Sequence, residues 1–348
     1  MRETHGYAAT AAGAALVPYK FFRREPGPHD VLIRILYCGI CHSDIHQARD
    51  EWGGALFPMV PGHEIVGTVA EVGSEVRSFR VGDRVGVGCF VGSCRECPSC
   101  RQGLEQYCEG HLVLTYNGTE RDGTPTYGGY SDQIVVDENY VLRIPDGLSP
   151  ERAAPLLCAG ITTYSPLRHW KVGKGHKLAV IGLGGLGHMA VQIGAALGAE
   201  VTVLSHSASK RADAERLGAM EFIVAPEVEF WERWHRRFDF LLDTVSAPEP
   251  LDSYLELLKT DGTMILVGAP SQPISCNAFS LLLRRRRLVG SLIGGIRETQ
   301  EMLEFCAEHG IAAQVEVIPI QKVNEAYERV VKGDVRYRFV IDLDSLNQ

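Results

Sequence analysis

The stretch KLAVIGLGGLG, Lys177–Gly187, decides how the middle of this chain folds. An apolar strand pattern runs directly into a GxGxxG turn. In such a turn the first glycine permits the tight bend, the second lets the backbone approach a pyrophosphate, and the third lets helix and strand pack closely. A lone glycine-rich turn can be purely steric, but strand, turn, helix and second strand all follow one another here. The pattern therefore predicts a dinucleotide site, with the diphosphate at the helix N-terminus, formed by Gly182, Leu183, Gly184, Gly185, Leu186 and Gly187.

Strand and helix patterns alternate in the sequence after this turn. Apolar runs such as EVTVLS, FDFLLDTVS and GTMILVGAP alternate with amphipathic runs such as HMAVQIGAALGA, SKRADAERLGA and LDSYLELLKT. This alternation is typical of a parallel sheet covered by helices on both faces, so the fold class is α/β. Before Pro150 the chain instead shows short β patterns separated by glycine and proline, which predict a barrel-like or sandwich-like β domain.

The end of the second strand of this region decides which nicotinamide cofactor fits. An acidic side chain about 20 residues beyond the glycines would hold the ribose 2′-hydroxyl of NAD. The sequence there reads VLSHSASK and offers Ser205, His206, Ser207 and Lys210 instead. Hydroxyls and a cation suit a 2′-phosphate, and the missing carboxylate removes a repulsion, so the pattern favours NADP(H). Ser207 or Ser209 also suits the N-cap of the next helix, and both roles can hold at once.

Residues 94–108, CRECPSCRQGLEQYC, contain four cysteines at C-x2-C-x2-C-x7-C spacing. Thiols at every third residue can converge on one ion, whereas such close neighbours make poor disulfide partners. Four thiolates around zinc leave no open position. The segment therefore predicts a structural zinc site held by Cys94, Cys97, Cys100 and Cys108.

A second group of metal ligands is spread through the sequence. Cys41 lies in CGICHSDIH, His63 in PGHEIVG and Cys158 in PLLCAGITTY. Two thiolates and one neutral imidazole around zinc give a site without net charge, whose fourth position stays open for water or substrate oxygen. Each residue taken alone is ambiguous, because a lone cysteine is more often a small core residue.

Neighbouring side chains strengthen this prediction. Asp44 and Glu64 are candidates for carboxylates that orient the imidazole ligand. Ser43 and His46 can pass a proton between the substrate oxygen and solvent. The cysteines without ligand-like neighbours are interpreted as buried, small apolar residues; they are Cys38, Cys89, Cys276 and Cys306.

Length and composition limit the class of protein. A chain of 348 residues suggests two domains, and 45% hydrophobic with 22% charged residues is ordinary for a globular protein. The formal charge of −8 argues against nucleic acid or an anionic membrane as partner. No apolar run approaches the ~18 residues of a membrane span, and the N-terminus lacks a clustered basic region, so we expect a cytoplasmic protein. The run Arg284–Arg287 is interpreted as a solvated helix end or an intersubunit salt-bridge site.

Taken together, these segments resemble the zinc-dependent medium-chain alcohol dehydrogenases, and among them the cinnamyl alcohol dehydrogenases and related NADP-dependent aldehyde reductases. The likeness extends over nearly the whole chain, through GICHSDIHQARDEWG, PMVPGHEIVG, VGDRVGVGC, the four-cysteine segment, TYGGYSDQIVV, APLLCAGITTYSPLRHW, GLGGLGH, DTVSAP and VRYRFVID. The resemblance implies a GroES-like catalytic domain made of residues 1–153 and 294–348, with a Rossmann NADP-binding domain inserted at 154–293. It also implies a homodimer with two zinc ions per chain.

The resemblance further implies roles for individual residues. Cys41, His63 and Cys158 match the catalytic zinc ligands, and Glu64 matches a residue that can enter the zinc sphere when substrate leaves. Ser43 and His46 match a proton relay. The implied activity is reversible hydride transfer between NADP(H) and primary alcohols or aldehydes. The positions that match cofactor contacts are Ser43, Thr162, Gly182 to Gly187, Ser205, Lys210, Thr244, Gly268, Ser291 and Ile293.

The sequence departs from the lignin-forming members of that family in one expected pocket wall. Those members carry a tryptophan shortly after the last structural cysteine, whereas this chain has EGHLVLTYN. We therefore expect a broad specificity that includes aromatic aldehydes rather than a physiological role with cinnamyl alcohols. Trp52 is the candidate pocket aromatic, with a core position as the alternative. His206 stands where some relatives place a cation, so we expect a less steep preference for NADP.

Three alternative functions stay open on the sequence. The first is an NAD-dependent alcohol dehydrogenase, against which the missing carboxylate near Ser205 argues. The second is a polyol dehydrogenase, which gains no support from the complete four-cysteine segment. The third is a nucleotide-binding protein without catalysis, and the presence of all the candidate zinc ligands argues against it.

Overall fold

The computed structural model describes residues 1–224, 232–247, 251–270 and 272–347. The chain forms two compact units, Met1–Ile161 together with Gly294–Gln348, and Thr162–Ile293. Residues 154–161 thus belong to the first unit, whereas the sequence analysis assigned them to the inserted domain. The domain limits themselves stay a prediction.

The secondary-structure elements have the following bounds. The strands are β1 Arg2–Ala8, β2 Val17–Arg23, β3 Asp30–Gly39, β4 Ile65–Val72, β5 Arg84–Val87, β6 Phe90–Gly92, β7 Val113–Leu114, β8 Gln133–Asp137, β9 Leu142–Arg143, β10 Lys177–Ile181, β11 Glu200–Ser205, β12 Glu221–Val224, β13 Phe238–Asp243, β14 Leu258–Leu266, β15 Arg287–Gly290, β16 Val315–Pro319 and β17 Arg338–Asp342. The α-helices are α1 His42–Ala48, α2 Pro98–Arg101, α3 Pro150–Ala153, α4 Ala159–His169, α5 Gly187–Ala196, α6 Arg211–Arg216, α7 Leu251–Leu255, α8 Ala278–Leu282, α9 Ile296–Glu308 and α10 Val323–Val331.

Strand β3 is the centre of the first unit. It pairs with β17, β4 and β8 in a sheet of order β16-β17-β3-β4-β5-β9, and its sequence DVLIRILYCG is buried along most of its length. The register of β3 and β4 sets Cys38 opposite Ile65, and the Gly39 N–H donates to the Glu64 carbonyl at 3.0 Å. This pairing brings the start of α1, which follows β3, next to the segment that precedes β4.

The second unit contains a six-stranded parallel sheet, as the alternating sequence pattern predicted. Its order is β12-β11-β10-β13-β14-β15, and every neighbouring pair is parallel. Counted from β10, this is the doubly wound order 3-2-1-4-5-6 of dinucleotide-binding sheets. Buried side chains from four of the strands form its core, among them Ala179, Leu204, Leu241 and Met264. The strand order reverses between β10 and β13, which is where such sheets bind their ligands.

Two details of the second unit differ from the sequence analysis. The run LDSYLELLKT is α-helical only over Leu251–Leu255, and β14 begins already at Leu258. Short apolar runs do not distinguish helix from strand by their period, which explains the error. The run Arg284–Arg287 is not a uniformly solvated helix end, because the Arg286 side chain is fully buried and its guanidinium binds the Glu256 carboxylate.

Within the described ranges, no helix combines the length and apolar character needed to cross a bilayer.

Candidate functional site

The four cysteines of residues 94–108 converge on one point. Their sulfur atoms all lie within 4.8 Å of one another, and Cys94 Sγ is 3.8 Å from Cys100 Sγ. Backbone N–H groups point at the sulfurs, since Cys97 donates to Cys94 Sγ and Cys100 donates to Cys97 Sγ, each at 3.4 Å. The N–H groups of Glu96 and Cys97 lower the pKa of the Cys94 thiol to about 6. Backbone N–H groups also lower the pKa of Cys97, whereas burial raises that of Cys100 to about 12. Four converging sulfurs match the ligand set of a tetrahedral zinc ion.

The second group of predicted ligands also comes together, at the ends of elements in the first unit. Cys41 is the N-cap of α1, His63 and Glu64 precede β4, and Cys158 follows a short 3-10 helix. One ligand atom from each of these four residues lies within 4.8 Å of the others, and all four residues are buried. Cys41 Sγ is 3.9 Å from Cys158 Sγ.

The electrostatics of this group fit a cation. The Cys158 thiol forms a hydrogen bond with Cys41 Sγ and, against the effect of burial, holds the pKa of Cys41 well below its ordinary value. Burial lowers the pKa of His63, but Asp44, Cys89 and Cys41 together outweigh this effect, so the pKa stands well above that of a free imidazole. The site therefore favours a thiolate at Cys41 and a positive charge at His63. A divalent metal ion bound by these two side chains would supply that positive charge.

Asp44 is the carboxylate that orients the imidazole. Its side chain is fully buried, and its Oδ1 lies 3.1 Å from His63 Nδ1. The same carboxylate accepts the N–H groups of Gly62 at 3.1 Å and Cys41 at 2.9 Å. Because Nδ1 faces Asp44, the lone pair of Nε2 is the one available to a metal.

Glu64 is placed differently from Asp44. Its Oε1 forms a buried ion pair with Arg338, which lies in β17. Its Oε2 is buried and has no hydrogen-bond partner among the described residues, an arrangement that a nearby cation would relieve. Burial raises the pKa of Glu64, and the Arg338 guanidinium, the next largest influence, lowers it. Of the two carboxylates considered as imidazole partners, Asp44 is the one that contacts the ring.

Both predicted relay residues lie on α1. Ser43 Oγ is 3.6 Å from Cys41 Sγ, which places the hydroxyl beside the ligand group. His46 Nδ1 lies 2.5 Å from Glu51 Oε2, and its ring stacks on Trp52 with 4.7 Å between the ring centroids. The Glu51 side chain is 36% exposed, so this contact connects His46 with the surface. Trp52 is 40% exposed, and the alternative of a core position for it is wrong.

The glycine turn has the geometry that its sequence predicts. Gly182 has a φ of +86°, and a Cβ on Gly187 would lie 2.2 Å from the Gly182 carbonyl oxygen, so the backbone requires glycine at both positions. A Cβ on Gly184 would meet no described atom within 4 Å. The space over Gly184 is therefore available to a ligand, as the pyrophosphate role of this residue requires.

The other predicted cofactor contacts follow the carboxyl ends of the parallel strands. β11 ends at Ser205, β13 at Asp243, β14 at Leu266 and β15 at Gly290. Since these ends share one edge of the sheet with the glycine turn after β10, the residues beyond them lie along that edge. They are His206, Ser207, Thr244, Gly268, Ser291 and Ile293. Thr162 lies within α4.

Lys210 connects the end of β11 with the glycine turn. Its Nζ donates to the Leu183 carbonyl at 2.8 Å, which places the cation between the end of β11 and the glycine turn. The Ser207 N–H donates to Ser205 Oγ at 3.3 Å, and the hydroxyls of Ser207 and Ser209 lie 2.8 Å apart. Ser207 precedes the short 3-10 helix Ala208–Lys210 without a side-chain capping bond, so the capping alternative is not observed for it.

The sequence did not predict two contacts of the buried ligand group, those made by Tyr116 and Cys89. The ring of Tyr116 stacks on the ring of His63 with a centroid distance of 5.8 Å. Cys89 is only half-buried, its thiol lies 3.9 Å from the Leu157 carbonyl, and it interacts with the Cys158 thiol, so its interpretation as a buried apolar residue is wrong. Cys276 is also only half-buried, whereas Cys38 and Cys306 are buried as expected. A signal for the Cys89 contact existed in VGDRVGVGC, one of the segments that carry the family resemblance.

Comparison with known proteins identifies the family. Residues 27–146 match the alcohol dehydrogenase GroES-like domain, and residues 185–308 match the zinc-binding dehydrogenase domain. Over 347 residues the chain is 59% identical to NADP-dependent alcohol dehydrogenase C 1 of Mycolicibacterium smegmatis, with 99% of each chain covered. Its structure matches a cinnamyl alcohol dehydrogenase of Sorghum bicolor with a TM-score of 0.96 and 47% identity, covering 99% of this chain and 98% of that one. It also matches CAD from Helicobacter pylori complexed with NADP(H), with a TM-score of 0.93, 43% identity and 98% of each chain covered.

Fold and matches together define an alcohol dehydrogenase with a GroES-like domain and a Rossmann sheet. The chain belongs to the zinc-dependent medium-chain alcohol dehydrogenases, as the resemblance in its sequence motifs implied.

We expect the purified protein to contain two zinc ions per chain. Cys158→Ala and Cys100→Ala should each retain one, because each removes one ligand from a different group of converging sulfurs. Cys100→Ala should also lower the unfolding temperature, since a closed four-cysteine site contributes to folding. Elemental analysis with calorimetry measures both effects, and Cys306→Ala, which removes a buried thiol outside both groups, is the control. Two zinc ions in the Cys158→Ala variant would contradict the assignment.

Proposed function

We propose that this protein is a zinc- and NADP(H)-dependent alcohol dehydrogenase that interconverts primary alcohols and aldehydes, aromatic aldehydes included. The observation that carries the proposal is the buried convergence of Cys41, His63 and Cys158 beside the hydroxyl of Ser43. The proposal assigns residues 1–153 and 294–348 to the catalytic domain and residues 154–293 to cofactor binding, except that Cys158 belongs with the zinc ligands of the first unit.

The side chains of the first unit divide the work of the proposed reaction. Cys41, His63 and Cys158 hold the catalytic zinc, and Cys94, Cys97, Cys100 and Cys108 hold the structural one. When bound, zinc supplies a Lewis acid for the substrate oxygen and NADPH supplies the hydride.

Protons reach the substrate oxygen along α1. Ser43 donates a proton to the oxygen during aldehyde reduction, and His46 replaces it. His46 Nε2 is buried without a partner among the described residues, which leaves this nitrogen for exchange on the inner side of the ring. Nδ1 is held by Glu51, whose partly exposed carboxylate exchanges protons with solvent. The Trp52 ring lies against His46 and offers an apolar surface to aromatic substrates.

The proposed preference for NADP(H) rests on the end of β11. No carboxylate follows Ser205 there, and Lys210 brings a cation to the glycine turn. A relative at 59% identity is named as NADP-dependent, and a structure at 43% identity was determined with NADP(H), which supports the same choice.

We expect faster reduction of cinnamaldehyde with NADPH than with NADH. Lys210→Met should raise the KM for NADPH about 10-fold and the KM for NADH much less, because one charge-assisted contact to the 2′-phosphate is lost. Steady-state kinetics with both cofactors measures the change. Arg211→Met is the matched control, since the Arg211 guanidinium donates to the Phe222 carbonyl instead. An equal rise for both cofactors would show that Lys210 only ties the glycine turn, and turnover with NADH alone would overturn the cofactor proposal.

The proposed relay predicts a defined kinetic defect. His46→Ala should lower kcat about 10-fold or more near neutral pH, since the proton then lacks its path to solvent, while the KM for NADPH changes little. Added imidazole should restore part of the rate by replacing the missing ring. His309→Ala removes a surface histidine at the end of α9 and serves as the control. A His46→Ala enzyme with an unchanged pH–rate profile would remove His46 from the relay.

We also propose that the protein is a homodimer that pairs through the edge of the second unit. In the described part of the chain, β15 is the last strand of its sheet, and the nearby Phe279, Leu282 and Leu283 are 64%, 70% and 71% exposed. An open strand beside exposed apolar side chains is a surface that soluble proteins usually cover. Light scattering should give the mass of a dimer for the wild type and of a monomer for Leu283→Asp. Val81→Asp, at another exposed apolar position, should stay dimeric; a monomeric wild type would refute the proposal.

We place the protein in the cytoplasm. All ten cysteines are free thiols in the structure, and two zinc–thiolate sites suit a reducing compartment. Recovery of the protein in an exported or membrane fraction of the cell would contradict this.

A further inference from the structure

The hydrogen bonds of Asp44 extend beyond the zinc ligands. Its Oδ1 faces Gly62 and His63, and its Oδ2 accepts the Cys41 N–H and the phenol of Tyr130 at 3.2 Å. The Tyr130 hydroxyl is a donor for which the proposed reaction has no other use.

Tyr130 contacts the two residues before His63, Pro61 and Gly62, through both its backbone and its ring. It is fully buried, and its N–H donates to the Pro61 carbonyl at 3.0 Å. Its ring packs so closely on Gly62 that a Cβ there would lie 2.7 Å from the Tyr130 ring. One residue therefore holds the backbone before His63 and the carboxylate that orients the His63 imidazole.

A second phenol lies behind the first. Tyr327, on α10, is buried, and its hydroxyl donates to the Tyr130 hydroxyl at 3.5 Å, with the rings edge to face at 6.5 Å between centroids. Burial, together with the charge of Asp44, raises the pKa of both phenols well above the ordinary tyrosine value. Both hydroxyls therefore stay protonated and act as donors.

We propose that Tyr130 is a positioning residue for the catalytic metal site, acting on His63 through Asp44, and that Tyr327 acts through Tyr130. The proposal rests on the proposed function, because it assumes that Cys41, His63 and Cys158 hold zinc. The physical reason is rotation of the carboxylate. Without the Tyr130 hydroxyl, Asp44 Oδ2 loses one of its two hydrogen bonds among the described residues and retains the Cys41 N–H. The carboxylate then turns more freely and aims the imidazole less accurately.

The test measures zinc release from the purified full-length enzyme to a chromogenic chelator. The phase that is missing in Cys158→Ala belongs to the catalytic site. Tyr130→Phe should accelerate that phase about 3- to 10-fold, less than the 10- to 100-fold typical of residues bonded directly to a ligand. The phase from the four-cysteine site should not change.

A double-mutant comparison tests the order of the two tyrosines. Tyr327→Phe should accelerate catalytic zinc release by about 2-fold, and it should add nothing in a Tyr130→Phe background, because residues that act in series are not additive. Tyr254→Phe, at a buried tyrosine of the second unit, should leave both phases unchanged. With cobalt in the catalytic site, Tyr130→Phe should also shift the visible absorption bands.

The outcomes separate the two proposals. A wild type that holds no zinc at Cys41, His63 and Cys158 would overturn the proposed function. A wild type that holds zinc there and releases it at the same rate as Tyr130→Phe would overturn only the positioning role. Additive effects of Tyr130→Phe and Tyr327→Phe would overturn the serial arrangement.

Discussion

The buried carboxylate of Asp44 is the interaction on which the rest of the site depends. A fully buried charge is tolerated only when its hydrogen-bond capacity is filled. Here four donors fill it, from Gly62, His63, Cys41 and Tyr130. Each donor belongs to a segment that must be placed accurately: the N-cap of α1, the loop before β4, and the segment before β8. The requirement to satisfy one charge thus fixes the relative positions of a thiol ligand and an imidazole ligand.

The C-terminal part of the chain completes this site with a second charge. Arg338 in β17 is buried against Glu64, while α10 brings Tyr327 behind Tyr130. Breaking a buried ion pair by removing one partner leaves an uncompensated charge and costs about 3–5 kcal/mol. Residues 294–348 are therefore part of the catalytic unit in an energetic sense, and the sheet order β16-β17-β3 supplies the geometry. These contacts join both ends of the chain in one compact unit.

The parts of the molecule that could be predicted from sequence are those encoded by local spacing. The glycine turn and the four-cysteine segment each lie within a short stretch, so spacing alone constrains their geometry. The ligands Cys41, His63 and Cys158 were found through chemistry and family resemblance together. Arg338, Tyr130 and Tyr327 could not be assigned roles, because a residue's partner across more than 80 positions depends on strand register. The sequence predicts that such tyrosines are buried in the core, but it does not predict the hydrogen-bond partner of a buried hydroxyl. Glu51 is the exception, as it lies only five residues from His46 and its carboxylate was available as a signal.

The two metal sites differ in how their charge is balanced, and this difference explains their different roles. In the four-cysteine site, backbone N–H groups of the same short segment donate to the sulfurs. The negative charge of the thiolates is therefore balanced locally, without a side chain from a distant part of the sequence. In the buried site, balance comes from the side chains of Asp44 and Arg338. Glu64 is only half satisfied in the buried site. Arg338 binds one of its carboxylate oxygens, while the other oxygen has no hydrogen-bond partner among the described residues. Glu64 would be the fourth ligand of a bound zinc ion, and because Arg338 already holds one of its oxygens, a substrate oxygen would be able to replace it. A closed set of four thiolates offers no such exchange, which is why the reactive site is the one assembled from distant segments.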